Sequence, residues 1–86
     1  MAPSNNPSAD LTALHICELI SRYHSGDFSR HTLRWILQDC TDEKKNTVIL
    51  TWLIRAGVGR EEEIRNMREQ LEGMTPEEKV SWLLGD

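Results

Sequence analysis

Four side chains, Cys17, His24, His31 and Cys40, are of the types that bind zinc. Zinc needs four ligands converging at about 2.0–2.3 Å, and zinc modules usually supply them as close pairs such as C-x-x-C or H-x-x-x-H. Here successive candidates stand seven, seven and nine residues apart, with no tight pair. The pattern reads as surface histidines and core cysteines, and no metal or cofactor is expected. A nucleophilic Cys–His pair needs an exposed thiol of lowered pKa. Cys17 and Cys40 both map to apolar helical stripes, where the thiolate is disfavoured. Gly57-Val58-Gly59 lacks the Lys-Ser/Thr ending of a phosphate-binding loop. Glu61, Glu62 and Glu63 occupy successive helical positions and point three ways, so they form no converging carboxylate site. The expectation is a protein that is not an enzyme, with no catalytic residue assigned.

Binding is the remaining class of chemistry. Trp35 lies almost opposite Leu33 on its helix, off the apolar stripe, and has Arg30, His31 and Arg34 beside it. Tryptophan and arginine are enriched among the residues that dominate protein interfaces. Trp35, Arg30, His31 and Arg34 are therefore the first candidate partner-binding patch. The second is the line Ile64, Met67 and Leu71, continued by Met74 at spacings of three, four and three residues. Such a narrow apolar seam between charges suits a partner helix, and it equally suits a helix lying on its own bundle. The expected function is a protein–protein interaction or self-association module, with a protein partner or homo-oligomer.

The alternative is a small helical nucleic-acid-binding regulator using Arg30, Arg34, Lys44 and Lys45. Phosphate contacts favour a basic excess, whereas this chain carries a net charge of −4. Residues 60–86 hold eight of the fourteen acids and four of the ten bases. Nucleic acid is accordingly the less favoured partner.

These side chains must be positioned by helices. Residues 1–9, rich in Pro, Asn and Ser, read as a disordered lead-in to a single helical domain over 10–86. The first helix is expected over 10–24, capped by Asp10 or Ser8, with Ala13, Ile16, Cys17, Ile20 and Tyr23 forming one apolar face. The second is expected over 30–40, with Ser29 as cap, a Phe28–Leu33 staple and a stripe of Leu33, Ile36, Leu37 and Cys40. The third, over 42–56 with Thr41 as cap and Gly57 as stop, is apolar nearly all round. That marks the centre of a bundle, with Ile49, Trp52, Leu53 and Ala56 as one face. The fourth, over 60–72, has only Gly59 as a weak cap. The fifth, over 76–84, carries the strongest signal: Thr75 as cap, Pro76 in the first turn and Glu78 completing a capping box. Its inward residues are Val80, Leu83 and Leu84, with Trp82 at the side. The fold class is an all-α compact bundle of about five short helices, the third central.

At 86 residues the chain is long enough for one domain. A domain this small buries only about 60% of its unfolded surface, so association is a natural source of further burial. Two cysteines without a disulfide framework suggest a reducing compartment, cytoplasmic or nuclear. No apolar run approaches the roughly 20 residues that span a bilayer, so no membrane role is expected.

Overall fold

The computed structural model describes residues 11–57 and 60–86. Its five helices are α1 (Ala13–His24), α2 (Arg30–Asp39), α3 (Asp42–Arg55), α4 (Glu61–Glu72) and α5 (Pro76–Leu84). Among the described residues there is no strand. None of these helices is long and apolar enough to cross a membrane.

Helix α3 is the hub, packing on α1, α4 and α5, while α2 packs on α5 and α1. The core is a single cluster of apolar side chains drawn from every helix. It includes Ile16, Cys17 and Ile20 of α1, Leu33, Ile36 and Leu37 of α2, and Val48 and Ile49 of α3. Met67 and Leu71 of α4 and Val80, Leu83 and Leu84 of α5 complete it. Both thiols are interior: Cys17 Sγ donates to the Val48 carbonyl at 3.5 Å, and Cys40 Sγ to that of Ile36 at 3.3 Å.

Helix starts follow the expected capping chemistry, with one correction. Ser29, Thr41 and Thr75 each accept a bond from the backbone N–H three residues on. The Thr75–Glu78 capping box is complete in both directions. Helix α1, however, starts at Ala13 with Thr12 as its cap, the Thr12 hydroxyl accepting from His15 N at 3.1 Å. A threonine in extended backbone supplies the same oxygen as the expected aspartate and begins the helix three residues later. Ser8, Asp10 and the lead-in over 1–9 lie outside the described residues, as does Gly59. Helix α4 begins after Arg60 with no side-chain cap.

Two helix ends close in the same way. After α1, Gly26 adopts φ +82°, Gly26 N–H bonds to Tyr23 O and Asp27 N–H to Arg22 O. After α5, Gly85 adopts φ +79°, with Gly85 N–H bonded to Trp82 O and Asp86 N–H to Ser81 O. These paired bonds are Schellman closures, in which a left-handed residue lets the chain double back over the last turn. Each throws an aspartate back along its helix.

The apolar girth of α3 is less deeply covered than its pattern implies. Val48 and Ile49 are buried and Trp52 and Leu53 half-buried, while Ile54 and Ala56 are exposed. Ala56 is the helix cap rather than part of the inner face. The inner face is completed instead by Lys45, which is 5% exposed.

Candidate functional site

The outward half of α2 is a surface on which charge and exposed apolar area coincide. With Leu33, Ile36, Leu37 and Cys40 turned into the core, the helical repeat places Arg30, His31, Arg34, Trp35 and Gln38 together on the opposite side, and all five are exposed. Trp35 is 54% exposed, high for the largest apolar side chain in the set. Among the described residues, Leu14 on α1 and Ile54 on α3 are the other large exposed apolar residues.

One edge of this face already holds a carboxylate. Arg30 Nη2 donates to Asp86 Oδ1 at 2.7 Å, and its Nη1 donates to the Tyr23 hydroxyl at 2.8 Å. The hydrogen bond from Arg30 holds the Asp86 carboxyl below the usual carboxylate range, and the positive charges of Arg30 and Arg34 add to the effect. Arg30 is correspondingly held more firmly protonated, chiefly by the Asp86 bond and then by that to Tyr23. The Schellman closure after α5 is what delivers Asp86 here. A second tie lies nearby: His24 Nε2 meets the Leu83 carbonyl at 3.2 Å, and its ring packs against Trp52 with centroids 5.8 Å apart.

The structure separates the expected site residues. Arg30, His31, Arg34 and Trp35 share one face, as their spacing implies. The seam of α4 is a different matter. Met67 is 9% exposed and Leu71 3%, both in the chain's own core, and Ile64 is half-buried. The narrow stripe docks α4 onto α3, so Met67 and Leu71 offer nothing to an outside partner. The basic group also disperses. Lys45 is buried with Nζ donating to the Cys40 carbonyl at 2.7 Å. Arg30 is engaged by Asp86, Lys44 is half-buried, and Arg34 alone of the four stands fully on the exposed α2 face.

Sequence reasoning missed two buried lysines. Lys79 is 2% exposed and binds both oxygens of Asp42 at 2.9 Å, joining α5 to the first turn of α3. The signal was present: Lys79 precedes Leu83 by four residues and Lys45 precedes Ile49 by four, which puts both on buried stripes. A groove of about 520 Å³ is lined by Asp42, Asn46, Arg68, Glu72 and Lys79 among others. Its central charges, Asp42 and Lys79, already satisfy one another. Among the described residues no three of His, Cys, Asp and Glu are grouped to hold a metal ion. Burial pushes the Cys17 thiol up to about 11, with the Arg55 charge opposing the shift, so this cysteine is a neutral core side chain at physiological pH. No protein-family model, curated protein or solved structure matches this chain.

Proposed function

We propose that the chain is a non-enzymatic interaction module whose docking surface is the outward face of α2, centred on Trp35. The observation that carries this reading is the 54% exposure of Trp35 among exposed His31, Arg34 and Gln38. An indole covered by a partner contributes both apolar area and a hydrogen-bond donor, and such residues dominate interface energetics. Arginine beside it supplies planar, directional recognition of carboxylates.

Site-specific photocrosslinking tests this in the cells that make the protein. A photoreactive residue in place of exposed Gln38, on the same face as Trp35, is expected to form a discrete protein adduct, and one at exposed Thr47 on α3 is not. Equal adducts at both positions, or none at 38, would remove the docking surface.

A further inference from the structure

The occupant of the α2 face is open to inference from charge. Residues 1–59 carry six acids and six bases, so the whole net charge of −4 resides in residues 60–86. Helix α4 concentrates it. With Met67 and Leu71 facing inward, the helical repeat turns Glu62, Arg65, Glu69 and Glu72 outward. Arg65 is spoken for by Glu61 at 3.8 Å. Glu62, Glu69 and Glu72 remain as an exposed acidic surface.

The α2 face shows what chemistry it accepts. It already binds one carboxylate, that of Asp86, through the Arg30 guanidinium, with Arg34 near enough to stabilise the same negative charge. Arg34 lies one turn further along and exposed, with Trp35 next to it. A basic edge, an aromatic anchor and an acidic helix elsewhere on the same molecule are complementary pieces of one contact.

Resting on the docking reading above, we infer that the α2 face receives the outward face of α4 from a second copy of this chain, with Arg34 meeting Glu69 or Glu62 and Trp35 covered between the helices. The two surfaces are different patches of the molecule, so the contact either closes reciprocally about a two-fold axis, α2 to α4 and α4 to α2, or repeats head-to-tail from copy to copy into a ring or a filament.

Charge reversal in trans tests the inference. Sedimentation velocity over a concentration series is expected to show the wild type associating, more weakly as NaCl rises from about 50 mM to about 500 mM. Arg34→Glu and Glu69→Arg, both at exposed positions, are each expected to weaken association at least about tenfold. An equimolar mixture of the two variants restores it, because each chain then offers a face complementary to the other. Glu62→Arg serves as a second acidic-face variant, and circular dichroism checks that each variant folds. Association unaffected by both acidic-face reversals overturns α4 as the occupant; if Trp35→Ala then abolishes it, the α2 docking surface stands. A wild type that stays monomeric to about 1 mM overturns the second copy as partner. In that case an adduct at position 38 to a different protein, or to nucleic acid, identifies the class of occupant that replaces it.

Discussion

Lys79 and Asp42 form an ion pair whose two halves are unequal. The ammonium is buried and the carboxylate half in water. Removing the partner of a buried charge leaves that charge uncompensated, whereas replacing the buried charge by an apolar side chain of like volume is often neutral. Asp42→Ala is therefore expected to destabilise the fold by about 1–3 kcal/mol, with lost helix-dipole compensation at the start of α3 included. Lys79→Met is expected to change it by less than about 1 kcal/mol. Urea denaturation of both variants checks the asymmetry, and a larger loss for Lys79→Met contradicts the account. Cys17 provides a pH dependence with a definite sign. Its thiol titrates near 9 when unperturbed and near 11 in the fold. Between those values the unfolded chain has released a proton that the native chain retains, so stability falls as pH rises from about 9 to 11 and is fully present below 9. The Cys17→Ser variant, which does not ionise there, is expected to show a flatter stability profile over that window, and alkylation of Cys17 at neutral pH is expected to wait on unfolding.

At the scale of the helix, local chemistry explains why so much of the fold was legible. Serine or threonine caps, glycine stops and apolar periodicity act within a few residues, and all five helices lie close to where those signals put them. The α5 capping box is the clearest instance, and Thr75→Ala is expected to cost about 1 kcal/mol, seen as a lowered urea midpoint. The start of α1 was misplaced because Asp10 and Thr12 both belong to the residue types that cap helices, and the local sequence does not choose between them. Half of the candidate site was legible for the same local reason: Trp35 sits on the wrong side of its own helix to reach the core, a fact visible within one turn. The rest depends on contacts distant along the chain. Whether the α4 seam met its own bundle or another molecule turned on its docking against α3. The Arg30–Asp86 bond joins residues 56 positions apart, beyond any local signal. Lys45 was read by charge and Lys79 was not singled out, although their position in the apolar stripe was the better guide.

For the molecule as a whole, the contact pattern makes α3 the common neighbour of α1, α4 and α5, while α2 leans on α1 and α5 and keeps one full side bare. A small bundle of this kind leaves Leu14, Trp35 and Ile54 in water, and at Trp35 the exposed area lies among exposed His31, Arg34 and Gln38 of the same helix. Trp35→Ala is thus expected to leave the urea midpoint within the small range of surface substitutions, about ±0.5 kcal/mol, while abolishing crosslinked or associated species. A loss of stability without a loss of association would instead make the indole a packing residue. The burial of Lys45 and Lys79 reaches into the chemistry of the outer surface. The chain has three lysines, and with Lys45 and Lys79 enclosed, half-covered Lys44 is the one side-chain amine the folded protein offers to acylating reagents. Enzymes that attach acyl groups or small proteins to lysine meet the same scarcity, and acylation of Lys45 or Lys79, unlike that of Lys44, records an opening of the bundle.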